Sequence, residues 1–252
     1  MKIELSSVSE LAQEIARLRT ELARREREAA DHQRQLERYA ADLRETFKQE
    51  RARSRQLAHS YTATVRALTN AIEARDFYTA RHAERVAAYG SLIASALGLP
   101  LTESPEIEFG FLLHDIGKVA IPDSILYKPG ALTAQERALM ARHAAIGADI
   151  LDGIDFLAGA AAVVRSHHER WDGTGYPAGL AGEQIPLAAR VFAIADVLDA
   201  LTTDRPYRPA SPLREARGMI DRAAGSHFDP RVVAAFDSIE DEALLEIATE
   251  LR

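Results

Sequence analysis

Residues 8 to about 65 contain neither proline nor glycine. Nothing in that stretch breaks a helix, and few other folds are open to it. Apolar residues recur at Leu11, Ile15, Leu18, Leu22, Ala29, Leu36, Tyr39 and Leu43, with charged side chains and glutamine between them. Intervals of three and four make the seam of a coiled coil. The phase then slips: Phe47, Leu57, Tyr61, Val65, Leu68 and Ile72 follow, and Glu50, Arg53 and Ser54 interrupt the seam. Such a stutter unwinds a supercoil locally. A lone helix of this length needs a partner, so residues 1–65 are read as a parallel, dimerising coiled coil. A single helix folded back on the body is the alternative. His32 and His59 belong to this segment and are read as surface or seam residues.

From residue 66 the texture changes. Glycine, proline and aromatic residues appear, helical segments alternate with short turns, and no period-two alternation persists. Leu97-Gly98-Leu99-Pro100 ends one helix. Thr133 followed by Glu136 opens another as a capping box, and Asp229-Pro230 opens a third. The fold class is therefore all-α: a long N-terminal helix, then a compact helical bundle over residues 66–252.

The chain has 252 residues, a formal charge of −7 and no cysteine. An acidic chain has no bulk attraction for nucleic-acid polymers or anionic membranes. The lack of cysteine excludes disulfides, thiolate zinc sites and cysteine nucleophiles. No apolar run is long enough to span a bilayer and no secretory signal is visible. A soluble, cytoplasmic protein is the expectation.

Five of the eight histidines fall in the middle of the bundle region with two aspartates: His82, His114-Asp115, His143, His167-His168 and Asp196. Phe111-Leu112-Leu113 runs straight into His114-Asp115. Ala161 to Val164 leads, through Arg165-Ser166, to His167-His168. Asp196 interrupts the apolar run Val191 to Leu198. Unpartnered polar groups in such places cost roughly 2–7 kcal/mol each, and a metal removes that cost. The alternative for Asp196 is a buried partner for arginine or histidine. Imidazole and carboxylate suit iron, manganese or zinc. Five imidazoles and two carboxylates exceed the needs of one ion and suit two, with a carboxylate as bridge. Two ions form a clamp for in-line attack on a phosphoryl group, with a hydroxide between them as nucleophile. Lys118 is four residues after His114, hence on the same helical face, and is read as a phosphate contact rather than an ordinary solvated lysine.

In this order the residues resemble the HD-GYP subgroup of HD-domain phosphohydrolases. His114-Asp115-Ile116-Gly117-Lys118 matches the HD motif, and His167-His168-Glu169-Arg170-Trp171-Asp172-Gly173-Thr174-Gly175-Tyr176-Pro177 the GYP signature. Asp76-Phe77-Tyr78-Thr79 leading to His82 and Arg85-Val86, and Asp196 to Thr202, look like family segments too. The resemblance starts near residue 66 and leaves out the N-terminal segment.

It implies a cytoplasmic enzyme that hydrolyses cyclic di-GMP to linear pGpG or GMP in bacterial signalling. The implied cofactor is two divalent metal ions, iron or manganese first, with zinc, nickel, cobalt or magnesium also compatible. Some members hold a third ion on a glutamate four residues before the first ligand histidine. Tyr78 stands there in this chain, so two ions are expected. The resemblance gives Lys118, Arg205 and Arg208 to the substrate phosphates. It links the Gly175-Tyr176-Pro177 loop to docking of diguanylate cyclase domains, although the same loop can serve as a pocket rim. Glu169 is expected to orient a ligand imidazole, and Asp172 to do so or to stabilise the loop. Hydrolysis of another cyclic dinucleotide and non-catalytic nucleotide sensing remain as alternatives. A di-iron oxygenase ranks low, because paired Glu-x-x-His motifs are lacking.

Overall fold

The computed structural model describes residues 2–75, 81–99, 105–204 and 208–251, with side chains from residue 10 onward. Helices are the only named elements among the described residues, joined by turns and loops. Asp76 to Thr79, including Tyr78, and Arg205 lie outside them.

The chain divides into two units, Met1–Ser60 and Tyr61–Arg252. Helix α1, Lys2–Glu73, supplies all of the first and enters the second. Within the first unit the apolar residues stand in solvent: Leu11, Leu36 and Leu43 are 60%, 67% and 57% exposed. Ladders such as Glu21–Arg24–Glu28 line the same helix. These exposed pairs add only tenths of a kcal/mol each.

The second unit is a bundle of α2 (His82–Ala96), α3 (Pro105–Leu112), α4 (Asp123–Leu126), α5 (Ala134–Leu151), α6 (Ala158–Ser166), α7 (Leu187–Thr202), α8 (Leu213–Arg222), α9 (Pro230–Asp237) and α10 (Asp241–Glu250). Its boundaries follow local chemistry. Gly98, at φ +72°, ends α2, and Leu99 N–H returns to the Ala94 carbonyl. Thr133 and Glu136 form the reciprocal capping box of α5, and the Asp229 side chain caps α9 ahead of Pro230.

Helix α7 is central. Its apolar face, from Ala189 through Phe192 and Ile194 to Leu198, is buried, and it packs on α2, α6 and α8. Phe192 meets Phe111 edge to face, with ring centroids 5.5 Å apart. Each such fully buried aromatic contributes roughly 1.5–3 kcal/mol.

The HD motif departs from the expected continuous helix. Helix α3 ends at Leu112, and Ile116–Ala120 forms a 3-10 turn. Gly117 rests directly on α5: a Cβ there would lie 2.0 Å from the His143 carbonyl oxygen. Only glycine permits this approach, which brings Asp115 against His143.

Candidate metal centre

The seven candidate ligands come from five segments. His82 opens α2, His114 and Asp115 sit in the turn after α3, His143 lies within α5, His167 and His168 follow α6, and Asp196 lies within α7. The structure brings all seven together in a chain of contacts. His82 Nε2 lies 3.4 Å from Asp196 Oδ1, and His114 Nε2 lies 3.1 Å from Asp115 Oδ2. Asp115 Oδ1 is 3.4 Å from His143 Nε2, so this one carboxylate spans both sides of the cluster. The His167 and His168 rings are 4.1 Å apart, and the His82 and His114 rings 5.4 Å.

Backbone carbonyls aim three of the imidazoles. His114, His143 and His167 each place Nδ1 on the carbonyl three residues earlier, those of Phe111, Met140 and Val164, at 2.9, 2.7 and 2.6 Å. Donation from Nδ1 leaves Nε2 as the lone-pair nitrogen facing inward. His143 Nε2 and His167 Nε2 then confront each other at 3.1 Å. Burial holds both imidazoles neutral, with the neighbouring imidazoles adding to the effect on His167. Two lone pairs at that distance repel each other, and a shared cation resolves the conflict. Nitrogen ligand atoms from His143, His167 and His168 also lie within 4.8 Å of one another. The donor set thus fits metal.

Electrostatics divides the cluster. Burial and the His143 ring hold His168 down to about 4. Burial also acts to lower the His82 imidazole, but bonds from Asp196 and Asp199 outweigh it and raise its pKa to about 10. A proton there occupies a place between carboxylates that suits a divalent cation. Burial would raise Asp115, yet His114, Lys118 and His143 keep it well below the usual carboxylate range.

Lys118 reaches the centre by a different route from the one its spacing suggests. In the 3-10 turn side chains three apart eclipse, and Lys118 Nζ sits 2.8 Å from Asp115 Oδ2. Arg208 donates to the Ala200 carbonyl on α7.

The loop after His168 has its own anchors. Glu169 is buried, and its carboxylate accepts the amides of Ala178 and Leu180 at 2.7 and 3.0 Å. It holds the loop rather than an imidazole, because those N–H groups would otherwise lack a partner in the loop's interior. Asp172 accepts from Thr174 N and Oγ1, a local turn bond that stabilises the loop. Gly175 lies so close to the preceding strand of chain that a Cβ would come 2.4 Å from Arg170 N. This contact seats Tyr176, whose ring lies 4.7 Å from that of His168. Pro177 follows on the exposed rim.

Two buried residues with a role here, Asp199 and Arg85, lie in segments that resemble the family but carry no assigned role there. Asp199 Oδ2 accepts His82 Nδ1 at 2.7 Å, and Arg85 grips the same carboxylate at 2.6 and 3.1 Å. Their signal in the sequence is slight: a second acid three residues after Asp196 in an apolar helix, and an arginine three after His82.

The chain is similar to several known proteins. The cyclic di-GMP phosphodiesterase response regulator RpfG of Xanthomonas campestris is 47% identical over 174 residues, covering 68% of this chain and 46% of that protein. A cyclic di-GMP phosphodiesterase of Thermotoga maritima is 44% identical over 172 residues, covering 68% and 47%. The 3'3'-cGAMP-specific phosphodiesterase 2 of Vibrio cholerae is 42% identical over 194 residues, covering 76% and 34%. The chain therefore spans about half or less of the curated relatives it matches. Among solved structures, a cyclic GMP-AMP-specific phosphodiesterase of V. cholerae, V-cGAP3, superimposes with a TM-score of 0.57 at 23% identity, covering 75% of this chain and 52% of that one. At this identity the likeness shows a common fold. A family model described as HD domain matches residues 26–232, and with that span matched, the chain belongs to the HD domain family.

Proposed function

We propose that this domain hydrolyses a phosphodiester bond of a cyclic dinucleotide, cyclic di-GMP first, giving linear pGpG or GMP. The observation that carries the reading is the pair of inward lone pairs on His143 and His167, beside a carboxylate that spans the cluster. His82, His114, Asp115, His143, His167, His168 and Asp196 would hold two divalent ions, iron or manganese, with Asp115 shared. Such ions supply Lewis-acid polarisation of the phosphoryl group and activation of water at neutral pH.

The chain's own residues do the rest. The Phe111, Met140 and Val164 carbonyls fix the imidazole tautomers. Lys118 places an ammonium at the Asp115 carboxylate, where it supports charge on a phosphate oxygen. Tyr176 walls the His168 side, and Arg208 flanks the end of α7. Arg205 is assigned to phosphate on the motif alone.

3'3'-cGAMP is the second substrate to test, because a relative named for it matches at 42% identity, not far below the 47% of one named for cyclic di-GMP. The stripe on α1 supports a homodimer, and docking of a diguanylate cyclase domain is assigned to the Gly175-Tyr176-Pro177 loop on the motif alone.

The test is anaerobic purification, metal analysis and incubation with each dinucleotide, followed by chromatography. Two metal equivalents with linear product are expected. Metal-loaded protein that leaves both dinucleotides intact would refute the assignment.

A further inference from the structure

Helix α2 begins with a metal-site residue, His82, yet its own N-terminus is poorly made. Arg81 stands at the cap position in the left-handed region, φ 57°, with no side-chain capping bond. The amides of the first helical turn need acceptors. Glu73, the last residue of α1, supplies them: Oε1 accepts Ala83 N–H at 2.9 Å and Oε2 accepts Arg81 N–H at 3.2 Å. These two amides flank His82 in sequence.

The same end of α1 also holds the HD turn. Thr69 Oγ1 shares its proton between the Val65 carbonyl of its own helix at 3.0 Å and the Leu112 carbonyl at 3.2 Å, just before Leu113-His114-Asp115. Arg75 donates to the Val119 carbonyl at 3.1 Å, next to Lys118, and to Asp123 at 2.6 Å. Both segments that begin the ligand set are thereby fastened to one helix end.

We infer that Glu73 is a positioning residue for the metal centre: by capping α2 from α1 it fixes His82 at the place where His82 meets Asp196. The inference rests on the metal reading above. A carboxylate on the first amides of a helix fixes where the helix starts, and His82 is the first residue of this one. Its side-chain end is separately held by Asp199. Removing Glu73 frees the backbone end of that residue while the ligand itself stays intact. The end of the long helix therefore bears on ligand placement without contributing a ligand.

The whole 252-residue chain, stripped of metal and titrated with manganese against a competing chelator, tests this. Thr133→Ala is the control, because it also removes a helix cap, on α5, where His143 lies ten residues beyond. Glu73→Ala is expected to weaken one of two manganese equivalents by about tenfold or more, the scale of losses when groups supporting a ligand are removed. Glu73→Gln keeps one acceptor oxygen and should lose less, which preserves the test if the alanine variant folds poorly. Thr133→Ala should bind like wild type, and low-temperature manganese EPR spectra should change only for the Glu73 variants. Wild-type affinity in both Glu73 variants, or an equal loss in Thr133→Ala, overturns the positioning role and leaves the metal reading standing. Wild-type protein that takes up no manganese overturns the metal reading, and this inference with it.

Discussion

Asp199 accepts the Nδ1 proton of His82 at 2.7 Å while Arg85 clasps the same carboxylate from α2. The aspartate sets which nitrogen of His82 faces Asp196, and the arginine keeps the aspartate charged in a buried setting. Asp199→Asn should therefore lower metal affinity about 10–100-fold with the fold retained. Asp199→Ala should also lower stability, since it removes the carboxylate that neutralises the buried Arg85 and leaves that guanidinium its contact with the Leu251 carbonyl. Chelator competition measures the first effect and urea unfolding the second.

Asp115 and Lys118 should separate metal binding from catalysis. Asp115 touches His114, His143 and Lys118, so Asp115→Ala is expected to lower metal content and abolish turnover. Lys118→Ala should retain both metal equivalents and lose about 100-fold in kcat, the scale of one charge-stabilising group. Metal analysis beside single-turnover kinetics checks both. Normal turnover by purified Asp115→Ala protein would contradict the proposed reaction.

Stability of the metal-stripped protein should decline on both sides of neutrality, for opposite reasons. His168 is depressed to about 4 in the fold, against roughly 6.5 in the unfolded chain. As pH falls through that interval the unfolded chain binds the proton first, so stability is lost toward acid. His82 is raised to about 10, so its contribution is complete below roughly 6.5 and is lost as pH climbs toward 10. Urea midpoints across pH should show His168→Gln flattening the acid limb and His82→Gln the alkaline limb. Saturating metal should remove the alkaline limb, because the ion replaces the His82 proton.

Gly175→Ala should disturb the loop and spare the imidazoles. The added Cβ would press on the Arg170 and Glu169 backbone, at about 1–3 kcal/mol. Near-ultraviolet circular dichroism should report movement of Tyr176, with metal content unchanged.

Leu36→Lys with Leu43→Lys should halve the mass of full-length protein measured by light scattering. Both leucines stand exposed on α1, and a charge at two seam positions removes the apolar contact that a second copy would supply. An unchanged mass would refute dimerisation through this stripe.

Much of the architecture was legible because local chemistry determined it. The uninterrupted helix, the Thr133–Glu136 box and the Asp229–Pro230 start each depend on residues within one turn. The candidate ligands stood out because each polar group ended or broke an apolar run. What depended on tertiary approach stayed hidden. Gly117 seated on the α5 backbone turns the HD segment into a 3-10 turn, and so puts Lys118 over Asp115 rather than in register with His114. Glu169 looked like a support for an imidazole, but the folded loop presents it with two amides nearer by. Asp199 and Arg85 meet only because α2 packs on α7.

The ligands are gathered from segments running from His82 to Asp196. No short piece of the chain holds more than a fraction of them. Metal uptake would then act as an audit of assembly: a nascent or clipped chain ending before α7 lacks Asp196 and Asp199 together, and the stabilisation that binding would give to the native state alone would be withheld from it. An ion at this centre would mark a chain made and folded through α7.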